Sequence, residues 1–265
     1  MLTPESLTLP REIARPLSGA TLNQITIGRS GSQVYLARAE GQPARYLKIA
    51  SQPFRDELAD ERYRLDWLRG RLPVPEVLAF ARDNEYSYLL LSEVPGTVAC
   101  DAAFSTNIAA LVQLLASGLR QVHQLDMAGC PFDMRLDQRI AQAERRMRGG
   151  AVDEEDFDES RLGKSVETLF EQLLSERPAE EDLVFTHGDF CLPNVLIDRA
   201  HNRVSGFVDW SRAGVADRYQ DLALAARSLA YNFGPGYEPL LWEAYGIDRH
   251  DAAKVAYYQL LDEFF

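Results

Sequence analysis

The chain has 265 residues, of which 46% are hydrophobic and 26% are charged. These values are typical of a globular protein with one large or two modest domains, and they exclude a collagen, a coiled coil and a low-complexity disordered chain. The net charge is −12, from 28 basic and 40 acidic residues. This balance argues against a nucleic-acid-binding protein, because such proteins carry a basic surface.

Nothing in the sequence suggests export or a membrane. No apolar run approaches the roughly 18 residues of a membrane helix, and the first five residues have neither the basic start nor the apolar stretch of a signal peptide. Cys100, Cys130 and Cys191 are far apart and lack C-x-x-C spacing, which argues against a disulfide framework or a zinc site. We therefore expect a soluble intracellular protein.

The first ninety or so residues are rich in β-prone runs and contain one helical pattern. The predicted helix covers residues 54–69 and ends before Gly70 and Pro73. The strands are predicted at 25–27, 34–37, 46–49, 77–80 and 86–94, the last two as a hairpin. Pro95 and Gly96 then break the chain.

Beyond Gly96 the pattern becomes helical. Apolar residues recur at three- and four-residue steps over 108–122, which predicts a long helix, and 219–265 is also expected to be helical. We predict a helical insertion over 135–181 and short strands at 183–185, 195–197 and 206–208. The fold class is therefore α+β, with a β-rich lobe over 1–94, a mostly helical lobe over 95–265 and a cleft between them.

An acidic run covers the second half of the predicted insertion and the residue after it. Residues 153–182 contain twelve acidic and only three basic side chains. The run is either a solvated face or loop, or a local negative field that gathers a cationic ligand. Composition alone does not decide between these two interpretations.

The strongest local motif is H-G-D-x-x-x-x-N, from His187 to Asn194, in a loop between two short predicted strands. Asp209 follows another strand fifteen residues later. Asp and Asn are common turn formers, so each alone would be unremarkable. Together, Asp189, Asn194 and Asp209 offer hard oxygen ligands suited to Mg²⁺ and a carboxylate to orient a substrate hydroxyl.

Lys48 is the second candidate, since it lies within an apolar predicted strand. Such a lysine is usually exposed at an edge, but it could hold phosphates if an acid on the following helix fixes it. Glu57 and Glu61 lie one turn apart on that helix, and Glu61 is our choice. The glycines of the G-x-x-G run at 28–31, upstream of Lys48, could form a backbone cradle for phosphate, although the run is shorter than the protein-kinase G-x-G-x-x-G.

In chain order these parts follow the layout of a kinase-type phosphoryl transferase. Three stretches carry a family resemblance: the motif at 187–194, the block V-A-D-R-Y-Q-D at 215–221 and the ending L-L-D-E-F-F at 260–265. They resemble the aminoglycoside 3′-phosphotransferases, the kanamycin and neomycin kinases, and within that family the type II enzymes. The resemblance runs from about Arg29 to Phe265. It implies a bilobal protein-kinase-like fold and a bacterial cytoplasmic resistance enzyme that uses ATP and Mg²⁺.

The resemblance also implies roles for individual residues. Asp189 would be the catalytic aspartate that positions the sugar 3′-hydroxyl and accepts its proton, and Asn194 and Asp209 would hold Mg²⁺. ATP would contact Lys48, paired with Glu61, and the residues Ser30, Tyr46, Ser92, Glu93 and Val94. The aminoglycoside, such as kanamycin or neomycin, would contact Asp156, Asp158, Glu159, Arg212, Arg227, Asp262, Glu263 and the terminal carboxylate of Phe265.

The chain departs from the family pattern at Ser228 and Tyr231, where the family carries acids, and at Trp210, which is bulkier than expected. The first two departures affect the expected substrate range. The alternatives are a kinase of another small hydroxylated metabolite, such as choline or a sugar, a non-catalytic nucleotide-binding module, and a metal-dependent hydrolase built on His187. We expect a monomer or weak dimer with no nucleic-acid or membrane partner.

Overall fold

The computed structural model describes residues 7–25 and 31–265. The chain divides into two compact units. The first unit consists of Met1–Gly96 and Ser205–Ser211, and the second consists of Thr97–Val204 and Arg212–Phe265. The lobe boundary between residues 94 and 95 stays a prediction.

The first unit is built on an antiparallel five-stranded sheet with the strand order β1-β2-β3-β5-β4. Alternating or continuous apolar runs form these strands, because one face or both are buried. The strands are β1 (Thr21–Ile25), β2 (Gln33–Arg38), β3 (Arg45–Ala50), β4 (Val77–Arg82) and β5 (Ser87–Ser92). Residues 26–27 of the first predicted strand lie outside the described residues; the other four predicted strands are confirmed.

Two helices accompany this sheet. The short α1 (Arg11–Ala14) buries Ile13, and α2 (Arg55–Leu68) contacts β3, β4 and β5. The helix α2 agrees closely with the one predicted over 54–69. It ends before Gly70, whose φ of +76° is in the left-handed region that favours glycine at a helix end. Its buried face includes the charged side chain of Glu61 beside leucines.

The second unit contains six α-helices among its described residues. The longest, α3, begins at the side chain of Asn107, which accepts a hydrogen bond of 3.1 Å from the Ala110 amide. The helices are α3 (Ile108–His123), α4 (Leu136–Arg148), α5 (Val166–Ser175), α6 (Tyr219–Phe233), α7 (Glu238–Tyr245) and α8 (Ala252–Asp262). Within the described residues, no helix has the length and apolar content of a membrane-crossing segment.

The predicted insertion over 135–181 is only partly helical. It consists of α4 and α5, joined by a segment that contains a 3-10 turn at Glu154–Asp156. This joining segment is rich in acidic residues and lacks an apolar stripe, so it has no helical face to bury. Phe157 fixes it, because its side chain is 5% exposed and packs in the apolar cluster that contains Leu169, Tyr257 and Phe264.

Short strands carry the loops of the second unit. β7 (Leu183–Thr186) pairs antiparallel with β10 (Gly214–Asp217), and β6 (Thr97–Val98) pairs antiparallel with β8 (Val195–Asp198). β9 (Arg203–Phe207) is the third strand of the β6-β8-β9 sheet. The sequence missed β6 and β10, which are too short to show a period. The predicted α+β class, with a sheet-rich front and a helical back, is confirmed.

Candidate active site

The H-G-D-x-x-x-x-N segment begins where β7 ends, and a buried carboxylate holds its backbone. Asp221, in the first turn of α6 and fully buried, accepts hydrogen bonds from the backbone amides of His187 (2.7 Å) and Gly188 (2.8 Å). The same carboxylate hydrogen-bonds His123 Nε2 at 3.1 Å, and His123 Nδ1 lies 2.7 Å from the Tyr245 hydroxyl. Three helices thus fix the start of the loop.

Gly188 is needed for the path of this loop. Its φ is +84°, in the region that L side chains rarely adopt. A Cβ atom at this position would also collide with the backbone carbonyl of Arg212. The glycine therefore allows the close approach that directs the next residue, Asp189.

The carboxylate of Asp189 is oriented by two neighbours in the loop. Asn194 Nδ2 donates to one carboxylate oxygen at 3.0 Å and to the Asp189 carbonyl at 2.9 Å, while the Cys191 thiol donates to the other carboxylate oxygen at 3.0 Å. Burial and the nearby Asp189 carboxylate raise the pKa of Cys191 well above its usual value, so the thiol keeps its proton. Asp189 itself is half-buried, a position from which a carboxylate can accept a hydrogen bond from a substrate.

Ser228 holds the far end of the same loop. Its hydroxyl accepts a hydrogen bond of 2.9 Å from the Leu192 amide, and it is 8% exposed. Ser228 therefore fixes this end of the loop through its hydroxyl. Tyr231, one turn further along α6, is 83% exposed.

Lys48, Glu61 and Asp209 form a buried charge cluster in the first unit. Lys48 Nζ lies 2.8 and 2.9 Å from the two Glu61 oxygens and also donates to Asp209. Lys48 is 7% exposed and Glu61 is 1% exposed. Burial lowers the pKa of Lys48, but the Asp209 and Glu61 carboxylates outweigh that effect and raise the pKa, so the ammonium stays charged.

Asp209 is presented by an unusual backbone conformation. Its φ is +65°, which is uncommon for a non-glycine residue, although aspartate adopts it more readily than most. The neighbouring Trp210 is fully buried, packs edge-on against Phe207 and donates from its indole to the Phe207 carbonyl at 3.1 Å. This bulky ring anchors the turn, while the Asp209 side chain remains 43% exposed.

The residues expected at the nucleotide lie in the same unit. Tyr46 is half-buried on β3, and burial together with the Glu93 charge raises its pKa. The Ser92 hydroxyl accepts from the Glu76 amide at 2.8 Å, and the Glu93 amide donates to the Ala44 carbonyl at 3.3 Å. Val94 is buried. Ser30, and Gly28 of the proposed phosphate loop, lie outside the described residues.

The acids near the end of α8 are paired with arginines. Asp262 contacts Arg212 at 3.3 Å and also Arg227, and Arg212 donates to an oxygen of Phe265 at 2.6 Å. Burial raises the pKa of Asp262, but the Arg227 and Arg212 charges outweigh that effect, so its pKa is lowered. The Phe265 ring lies 3.5 Å beneath the guanidinium of Arg139.

Asp158 and Glu263 meet in the same region. The Asp158 amide donates to Glu263 at 3.1 Å, and Arg161 contacts both carboxylates, at 3.1 and 2.9 Å respectively. Burial and the charge of Asp158 raise the pKa of Glu263 to about 7. Asp156 and Glu159, the other two acids predicted here, are exposed.

The sequence did not single out Asp221, His123 or Arg161. Asp221 is marked only as part of the block V-A-D-R-Y-Q-D at 215–221, which carries the family resemblance. Local patterns do not indicate them, because the contacts that place them at the site are distant along the chain. Asp221 binds the Gly188 amide 33 residues away, His123 binds Asp221 98 residues away, and Arg161 binds Glu263 102 residues away besides its local partner Asp158.

Comparison with known proteins places these features in a family. The model of the phosphotransferase enzyme family matches residues 21–257. The aminoglycoside 3′-phosphotransferase of Niallia circulans is 41% identical over 258 residues, 97% of each chain. That of Streptomyces fradiae is 42% identical over 248 residues, 90% of this chain and 92% of the other.

Solved structures agree with the sequence relatives. A type VIII aminoglycoside 3′-phosphotransferase superimposes with a TM-score of 0.86 at 36% identity, covering 96% of this chain and 97% of that one. The aminoglycoside phosphotransferase APH(3″)-Id of Streptomyces rimosus, solved with ADP and streptomycin, has a TM-score of 0.80 at 28% identity, covering 96% of each chain.

Proposed function

The chain belongs to the phosphotransferase enzyme family, among the aminoglycoside 3′-phosphotransferases, and we propose that it transfers the γ-phosphoryl group of ATP to the 3′-hydroxyl of an aminoglycoside antibiotic. The fold is the kinase-like fold of that family. The observation that carries the proposal is the oriented carboxylate of Asp189, in a loop whose backbone is held by Asp221.

Asp189 is proposed as the catalytic residue. Each of its carboxylate oxygens accepts one hydrogen bond, from Asn194 or from Cys191, so the carboxylate is fixed in one orientation. Such a carboxylate can accept a hydrogen bond from the 3′-hydroxyl, align its oxygen with the γ-phosphorus and take the proton as the phosphoryl group transfers. Orientation supplies most of the catalysis, because phosphoryl transfer needs positioning and charge stabilisation more than covalent chemistry.

Lys48 is proposed to bind the α- and β-phosphates. Its ammonium is held by Glu61 and is kept charged by two carboxylates, and a strand lysine paired with a helix glutamate is also the arrangement that protein kinases use. Adenine is proposed to bind at Ser92, Glu93 and Val94, with Tyr46 beside it.

Asn194 and Asp209 offer oxygen donors of the kind that magnesium prefers. Asn194 uses Nδ2 for both of its hydrogen bonds to Asp189, so its side-chain oxygen points away from Asp189, and Asp209 has a partly exposed carboxylate. Carboxylate and amide oxygens suit Mg²⁺. Mg²⁺ held by Asn194 and Asp209 would neutralise charge on the transferring phosphoryl group.

The proposed antibiotic site is the acidic region of the second unit. Ammonium groups of the drug would bind carboxylates through charge-assisted hydrogen bonds, which are about twice as strong as neutral ones. The proposed contacts are Asp156, Asp158, Glu159, Asp262, Glu263 and Phe265, with Arg212 and Arg227 positioning the acids and the transferring phosphate.

The test is ADP release from Mg·ATP with kanamycin A. The wild-type protein is expected to turn over, and Asp189→Asn is expected to lower kcat by about 10²–10⁴-fold, the usual contribution of a general base. Asp198→Asn is the matched control, because the Asp198 carboxylate lies at the end of β8 and bonds to His201 and Arg203. Asp189→Asn turnover equal to that of this control would contradict the catalytic assignment.

A further inference from the structure

Arg161 lies between two of the carboxylates proposed for the antibiotic. Its NH1 atom is 2.9 Å from Glu263 Oε1 and 3.1 Å from Asp158 Oδ2, and its NH2 atom is 3.4 Å from the Ala256 carbonyl. The side chain is only 13% exposed. Its guanidinium thus occupies the position between the two acids, bonded to both.

This contact joins the acidic loop to α8. Asp158 belongs to the loop between α4 and α5, whereas Glu263 follows the last residue of α8. The two carboxylates would otherwise repel each other, and Glu263 is nearly buried, with 4% of its side chain exposed. Burial and the charge of Asp158 raise the pKa of Glu263 to about 7, and the Arg161 cation between the two acids favours its ionised form.

Arg227 does not replace Arg161 at this point. Its guanidinium is 3.3 Å from Asp158 but 3.9 Å from Glu263, and it is bonded to Asp262 on its other side. Of the two arginines, only Arg161 is within hydrogen-bond distance of both Asp158 and Glu263. A primary ammonium group has the charge and the hydrogen-bond donors to fill the same position.

We propose that Arg161 is a specificity-determining residue that occupies the ammonium-binding position formed by Asp158 and Glu263, so that an amino group of the antibiotic binds there by displacing its guanidinium. This inference rests on the proposed function. The internal cation weakens binding of amino-rich substrates, because each displacement breaks two charge-assisted hydrogen bonds before new ones form.

The test compares KM and kcat for kanamycin A in wild-type protein and Arg161→Gln. We expect the KM for kanamycin A to fall by roughly three- to tenfold, a change of about 0.6–1.4 kcal/mol, with kcat and the KM for ATP within about twofold. The decrease in KM should be largest at low salt, because the attraction between the ammonium group of the drug and the two acids is screened least there.

Two further variants separate this effect from others. Arg161→Lys keeps the cation and should give a KM near that of the wild type. Arg203→Gln removes one positive charge from an exposed pair with Asp198 and should leave KM unchanged, which separates local competition from the overall charge. Melting temperatures of all variants identify any loss of folding.

The outcomes are distinct. A KM that rises in Arg161→Gln and is restored in Arg161→Lys would mean that Arg161 only fixes the loop, and would overturn the inference. An unchanged KM in Arg161→Gln would also overturn it, while wild-type turnover keeps the proposed function intact. Absence of wild-type turnover with any aminoglycoside would refute the proposed function and this inference together.

Discussion

Replacement of Asp221 by Asn tests whether the buried carboxylate positions the catalytic loop. In the wild-type structure its two oxygens accept from the amides of His187 and Gly188 and from His123. An asparagine has only one oxygen that can accept hydrogen bonds. Its NH₂ group, which can only donate, would face one of the backbone N–H groups. At least one backbone amide therefore loses its acceptor inside the protein.

The magnitude follows from that loss. A hydrogen bond to a charged group contributes roughly 1.5–3 kcal/mol, and a buried donor left unsatisfied costs roughly 1–3 kcal/mol. We therefore expect Asp221→Asn to lower the free energy of unfolding by about 3 kcal/mol. For a chain of this size that corresponds to a decrease in melting temperature of roughly 6–12 °C.

Asp217→Asn is the matched control. Asp217 lies four residues earlier, is equally buried, and accepts from the Tyr219 amide at 2.9 Å, the Asp182 amide at 3.1 Å and Lys254 at 2.6 Å. It therefore tests the loss of a buried carboxylate that does not contact the loop. Both variants should lose comparable stability by thermal unfolding.

Activity distinguishes the two variants. Measured well below both melting temperatures, kcat should fall by tenfold or more in Asp221→Asn, because the backbone before Asp189 is released, and by less than threefold in Asp217→Asn. Equal kcat values for the two variants would refute the idea that Asp221 positions the loop. An unchanged melting temperature in Asp221→Asn would refute the energetic reasoning itself.

Two further predictions concern charge. Lys48→Met should raise the KM for ATP by at least about tenfold, since a charge-assisted hydrogen bond contributes roughly 1.5–3 kcal/mol. The KM for kanamycin A should stay within about twofold of the wild-type value. Equal increases in both KM values would argue against a phosphate-binding role. The second prediction concerns Glu263, whose pKa is raised to about 7 and which Asp158, Arg161 and Arg227 face. Because Glu263 becomes ionised as the pH rises from 6 to 8, kcat/KM for kanamycin A should increase over that range. The increase should be smaller in Glu263→Gln. A carboxyl group whose pKa is higher in the folded than in the unfolded state stabilises the fold while it is protonated. Glu263 should therefore lower the free energy of unfolding as the pH rises from about 4.5 to 7, and Glu263→Gln should remove this decrease in thermal unfolding experiments.

The sequence predicted the elements that have a clear period. The helix α3 has buried apolar residues at three- and four-residue steps, and the strand β5 contains a buried apolar run from Tyr88 to Leu91. Such patterns report burial directly, so these elements agree with the prediction. The kinase-like fold followed from the resemblance, and the comparisons confirm it.

The contacts that position the site could not be predicted in this way. Helical spacing alone left Glu57 and Glu61 as candidates; the resemblance implied Glu61, and the structure pairs Glu61 with Lys48. The Asp221 contacts and the pairing of Arg161 with Glu263 depend on tertiary packing between distant segments. The acidic run showed its charge but not its arginine partners, because Arg227 reaches Asp158 from 69 residues away.

The central claim is transfer to the 3′-hydroxyl, and the most direct measurement is ADP release with Mg·ATP and two substrates. Kanamycin A has a 3′-hydroxyl, whereas tobramycin lacks it. The account predicts turnover with kanamycin A and none with tobramycin. Turnover with both would move the reaction to another hydroxyl, and turnover with neither, but with choline or a simple sugar, would contradict the account.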